Sequence, residues 1–124
     1  MALDRPEVDP PEGPAPDYLD IQDLVVGDGV EATKGTNVSV HYVGVAHSTG
    51  EQFDASWDRG QAFTFPLGGG RVIKGWDMGV VGMKVGGRRR LVIPAHLGYG
   101  DRGAGGAIKP GETLVFVVDL LSVG

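Results

Sequence analysis

Apolar and polar residues alternate from Asn37 to Val45, with Val38, Val40, Tyr42 and, less cleanly, Gly44 on one face and Ser39 and His41 on the other. That period of two predicts a half-buried β-strand. Thr113 to Val123 is apolar on both faces and predicts a central strand. Shorter strands are predicted at Leu19–Val25, Glu51–Ala55, Ala62–Pro66 and Arg88–Ile93, separated by Gly-, Pro- or Ser-containing turns. One helix is predicted, from about Ile73 to Val80. It is short and contains glycines, so it must be held by tertiary packing. Five or six antiparallel strands with one short helix make an α+β layer, with the helix across the sheet and Trp76 between the two.

Two stretches carry no periodic pattern. Residues 1–18 hold five of the eight prolines. Fixed φ angles and few apolar side chains predict an extended or disordered leader, leaving residues 19–124 as the domain. Gly98 to Gly111 carries six glycines in 14 residues, a long loop that must either move or cover something.

Charge changes the picture once it is divided. Residues 1–20 hold six acids and one base, whereas residues 21–124 hold 10 of each. A neutral body argues against nucleic acid as the ligand. The chain has no cysteine, which removes disulfides and thiolate chemistry, and a cytoplasmic location is the simplest expectation. No apolar run approaches the ~20 residues of a membrane helix. His41, His47 and His96 lack metal-ligand spacing, so neither a metal nor an organic cofactor is expected. Gly98-Tyr99-Gly100-Asp101-Arg102-Gly103 has dinucleotide-fingerprint spacing, but loop residues follow it instead of a helix. Asp54-Ala55-Ser56 has no neighbouring base in the sequence, so no nucleophile is predicted. Arg88-Arg89-Arg90 reads as a solvated edge, with Arg89 a candidate to pair with an acid.

The aromatic residues carry the remaining signal. Trp76 offers a flat apolar surface suited to the core or to a pocket floor, and Tyr42, Phe53, Phe63, Phe65, Tyr99 and Phe116 are most of the other aromatic residues. Gathered together, they would line one apolar cavity with few polar groups, the usual form of a small-molecule or peptide site.

The segments VHYVG (40–44), FDASWDRGQAFTFPLG (53–68), VIKGWDMGVVGMKVGGRRRLVIP (72–94), YG (99–100) and LVFVVDLL (114–121) resemble the FK506-binding protein (FKBP) family, in order and over about Leu19 to Val123. The resemblance implies an antiparallel half β-barrel wrapped around one short helix. It also implies peptidyl-prolyl cis/trans isomerase activity on proline-containing polypeptides, and binding of macrolides of the rapamycin class. By the same resemblance, Tyr42, Phe53, Asp54, Phe63, Val72, Ile73, Trp76, Tyr99, Ile108 and Phe116 form the substrate pocket. Asp54, Tyr99, Ile73, Trp76 and Tyr42 are the expected catalytic set, and Arg59 pairs with Asp54. Ala104 and Ala107 stand where well-known members carry a His and an Ile, and Arg71 replaces an acid. The alternative is an FKBP-like binding or chaperone module with weak activity. One-domain length favours a monomer, without nucleic acid or membrane partners.

Overall fold

The computed structural model describes residues 3–124. Six strands, β1 (Asp20–Val25), β2 (Asn37–Ala46), β3 (Gln52–Ala55), β4 (Phe63–Pro66), β5 (Arg88–Ile93) and β6 (Leu114–Val123), form one antiparallel sheet. The path is β1-β5-β6-β2-β3, with β4 also on β2. β2 is long enough to serve two partners on one edge. Val38 and Val40 pair with Phe65 and Phe63 of β4, while Val43 and Gly44 pair with Ala55 and Asp54 of β3. β6 lies between β5 and β2, as its two apolar faces predict.

Alternation sorts the strands into two faces. Val38, Val40 and Tyr42 of β2, Leu91 and Ile93 of β5, and Leu114, Phe116 and Val118 of β6 pack with the helix-facing core. Val43, Val45, Ala55, Val92 and Val115 form a smaller cluster on the outer face.

The predicted helix is α2 (Lys74–Gly79), and a one-turn helix, α1 (Ser56–Arg59), joins β3 to β4 by way of Gly60. Its brevity hid α1 from periodicity, which needs more than one turn to register. A 3-10 turn spans Ala95–Leu97. The α2 glycines have a packing reason. A Cβ at Gly75 would come within 2.5 Å of Ile93, and one at Gly79 within 2.8 Å of Leu91. Spaced i, i+4, they form a groove that lets α2 lie directly on β5.

The reading of Arg88 to Arg90 as a solvated edge is corrected by the sheet order, because β5 runs between β1 and β6. Arg88 pairs with Asp119, directly opposite on β6, through Nε at 2.6 Å and Nη2 at 2.8 Å. Arg89 is buried and pairs with Asp23 at 2.7 Å. Its Nη1 also donates to the carbonyl oxygens of Gly79 and Val81, at 2.8 and 3.0 Å. Those acceptors lie at the C-terminal end of α2, which otherwise has no basic side chain in its last turn.

Residues 3–19 contain no helix or strand, and part of this segment lies against the body. Pro6 is buried, Val8 packs on the outer cluster, Arg5 bonds Gln52 and pairs with Asp58 at 3.3 Å, and Arg88 donates to the Asp4 carbonyl.

Candidate active site

Tyr42 leaves β2 on the helix-facing side, and Asp54 stands on the neighbouring β3. The Tyr42 hydroxyl donates to Asp54 Oδ2 at 2.6 Å. Arg59 closes the group: Nη1 donates to Asp54 Oδ1 at 2.6 Å, and Nη2 donates to the Tyr42 hydroxyl oxygen at 2.8 Å. Its guanidinium carbon lies 5.6 Å from the Tyr42 ring centroid. Both carboxylate oxygens therefore have a donor, which fixes the plane of the carboxylate. Burial, followed by the bond to Asp54, raises the Tyr42 pKa above its ordinary 10.0. The bonds from Arg59 to Tyr42 and Asp54 raise the guanidinium pKa further above an already high value.

What brings Arg59 to Tyr42 is Ser56, at the start of α1. Its fully buried hydroxyl accepts the Tyr42 N–H at 2.7 Å and lies 2.8 Å from His41 Nδ1. The His41 ring stacks on Trp57 with centroids 4.3 Å apart. A histidine therefore stands beside Ser56 in space, although none neighbours it in the sequence. Strand pairing, not sequence proximity, brings them together. Because Ser56 is enclosed and occupied by a backbone amide, its role is structural. The Asp-Ala-Ser spacing was the available signal, but it does not show which way the hydroxyl faces.

Trp76, 4% exposed, is the floor. Tyr42 and Phe116 meet it edge-on at 4.8 and 5.2 Å, with Phe65 at 5.6 Å and Phe63 at 6.0 Å. Its indole N–H is buried without an acceptor among the described residues, so the floor presents apolar surface rather than a donor. Phe53 packs against Phe116 at 5.4 Å, an approach that requires Gly44. A Cβ there would lie within 2.7 Å of both rings.

All of these rings except Phe65 border a cavity of about 630 Å³; Phe65, expected to join them, is buried in the core behind Trp76. All ten residues expected to form the pocket line it, the catalytic set included, while Arg59 stands behind Asp54. Sequence position alone did not show Gly70 as a lining residue, and the structure adds it. Arg71, Ala104 and Ala107, which depart from the family pattern, line it too. The long glycine-rich loop covers one side, folded on itself by reciprocal bonds between Ala104 and Ile108 at 2.9 and 3.1 Å. Neither the Ile73 N–H nor the Tyr99 hydroxyl has a hydrogen-bond partner among the described residues.

An antiparallel sheet folded over α2, with an aromatic cavity between them, has the form of a small-molecule or peptide site. The family model described as FKBP-type peptidyl-prolyl cis-trans isomerase matches residues 29–121. An FK506-binding protein of Streptomyces anulatus is 64% identical over 99% of this chain and 100% of its own length. A probable FK506-binding protein of Corynebacterium glutamicum is 53% identical over 97% and 99%, respectively. Among solved structures, AtFKBP13 superposes with a TM-score of 0.80 at 41% identity, covering 89% of this chain and 96% of that one. FkpA from Escherichia coli gives 0.76 at 40% identity, over 85% of this chain and 47% of its own. The chain belongs to the FKBP-type peptidyl-prolyl cis-trans isomerase family and is an isomerase of peptidyl-prolyl bonds.

Proposed function

We propose that the aromatic cavity is the catalytic site, and that it accelerates rotation by binding the twisted Xaa-Pro bond better than the planar one. The observation that carries this reading is the Asp54 carboxylate, held by Tyr42 and Arg59 at the wall of a cavity floored by Trp76. Rotation of a peptide bond breaks amide resonance, at a barrier of ~18–20 kcal/mol. At an Xaa-Pro bond it takes roughly tens to hundreds of seconds unaided. The twisted state has lost the charge separation of the resonant amide, so an apolar, water-poor cavity favours it. No bond to the protein forms and no proton must move, in keeping with the lack of an accessible nucleophile.

In this reading the proline ring lies on Trp76, between Tyr42, Phe63, Val72, Ile73 and Phe116. The Ile73 N–H and the Tyr99 hydroxyl, both without a partner among the described residues, hold substrate carbonyls. Asp54 lies beside the rotating bond. Each tenfold of acceleration needs about 1.4 kcal/mol, so several modest contacts account for useful rates.

The same cavity is proposed to take macrolides of the rapamycin class. Its volume and aromatic lining support this, as do the names of the relatives as FK506-binding proteins. The small side chains of Ala104 and Ala107 and the charge of Arg71 tune that affinity. Cis-to-trans turnover of a Leu-Pro tetrapeptide, with and without rapamycin, is the test. Fast turnover blocked by the macrolide is expected; turnover indifferent to a bound macrolide would move catalysis out of this cavity. We also infer that residues 19–124 are the isomerase domain and residues 1–18 a leader, of which Asp4 to Val8 touch the body.

A further inference from the structure

Two charged residues, Asp54 and Arg71, line the cavity, and Arg71 is exposed to solvent at its edge. They are not equivalent. Asp54 is matched by Arg59 at 2.6 Å, so that pair adds little net charge to the site. Arg71 has no ion pair and no hydrogen bond among the described residues. One positive charge without a partner among the described residues therefore stands at the edge of the cavity.

Arg71 is also held at its base. It ends the Leu67–Arg71 loop, whose Gly68 and Gly70 N–H groups donate to the two oxygens of Asp77 at 2.8 and 2.9 Å. Gly70 has φ +73°, a left-handed conformation that suits glycine. Asp77 sits in the first turn of α2 and spends both oxygens on these amides, so it leaves Arg71 unpaired while anchoring the backbone beside it. The result is a cation on a pinned segment, immediately before Val72 and Ile73 of the cavity wall. An arginine suits this place, because its planar fork takes a carboxylate through two parallel hydrogen bonds. Because Arg71 is exposed, its attraction for an acid is screened by water and salt and is modest in size.

We propose that Arg71 is a specificity-determining residue, and that the enzyme favours Xaa-Pro segments with a carboxylate side chain, Asp or Glu, next to the Xaa-Pro pair. This inference rests on the cavity being the catalytic site. It goes further by naming a substrate class: acid-flanked prolines in preference to neutral ones, and neutral ones in preference to lysine-flanked ones.

The test is kcat/KM for five peptides sharing one Leu-Pro core: unsubstituted, Glu before the Leu, Glu after the Pro, and Lys at each of those places. Wild type, Arg71→Gln and Arg71→Glu are compared at low and high salt. A partly exposed charge pair predicts that wild type turns over the better Glu peptide about twofold to fivefold faster than the unsubstituted one. Salt should shrink that ratio. Arg71→Gln should bring it to one, and Arg71→Glu should transfer the preference to a Lys peptide. The ratio, not absolute turnover, is the readout, so a general loss of activity in a variant does not imitate the result. Wild-type turnover without charge preference, or a preference unchanged in both variants, overturns the proposal alone. Wild-type turnover that a saturating macrolide does not block overturns the catalytic reading of the cavity, and the proposal with it.

Discussion

The Tyr42 hydroxyl donates to the Asp54 carboxylate at 2.6 Å, and the same tyrosine ring meets Trp76 edge-on at 4.8 Å. One side chain thus joins the polar group of the site to its apolar floor. Burial and the Asp54 bond raise its pKa above 10.0. For a group whose folded value is raised, the stabilisation is fully present below the unfolded value and is lost as pH rises through the folded one. Stability should therefore hold up to about pH 10 and fall above it. An absorbance titration of the phenolate should show one tyrosine ionising late, and Tyr42→Phe should remove that component. A late component that survives Tyr42→Phe would assign it to another residue.

The α2 glycines give a prediction opposite in sign to helix propensity. Alanine is the better helix former by roughly 1 kcal/mol. At Gly79, however, the added methyl would meet the Leu91 side chain at 2.8 Å. Overpacking typically costs about 1–3 kcal/mol, so Gly79→Ala should lower stability in urea unfolding. A stabilised variant would mean that α2 does not lie against β5 as described.

Asp119 is 3% exposed and takes two bonds from Arg88. Removing one member of a buried pair leaves the other charge stranded, at a cost of about 3–5 kcal/mol. Asp119→Ala should therefore lower the unfolding midpoint strongly, whereas replacing both residues by apolar ones should recover much of the loss. A neutral Asp119→Ala would contradict the burial.

Much of the frame was legible in the residues. Val38, Val40 and Tyr42 alternate because the first half of β2 is buried on one face only, whereas from Val43 both faces are covered, and the apolar run of β6 follows from its central place. The motif resemblance marked the cavity residues. What escaped depended on contacts between distant positions. Arg89 does pair with an acid, as expected, but that acid, Asp23, is 66 residues away, so the sequence did not name it. Ser56 and His41 meet only because β3 pairs with β2, and four residues of α1 are too few to show a helical period. The α2 glycines looked like weakness until the side chains of β5 were in place beneath them.

Residues 3–18 illustrate the same limit. Their composition resembles that of a solvated tail, yet Pro6 is buried and Val8 packs on the outer cluster. Burying an aliphatic side chain is worth about 1.5–3 kcal/mol, and the exposed Arg5–Asp58 pair adds little. Deleting residues 1–10 should lower the unfolding free energy by about 2 kcal/mol while leaving turnover intact. Unchanged stability would show that the segment does not rest on the sheet in solution.

The measurement closest to the central claim is cis-to-trans turnover by Asp54→Ala beside wild type, with thermal unfolding of both. The Asp54–Arg59 pair is half exposed, and the bond between Tyr42 and Arg59 at 2.8 Å does not need the carboxylate. Thermal unfolding should therefore move little. Loss of the carboxylate beside the rotating bond should lower kcat/KM by about tenfold, equivalent to about 1.4 kcal/mol of transition-state stabilisation. Full turnover in a folded Asp54→Ala protein would remove the carboxylate from the mechanism and contradict the account.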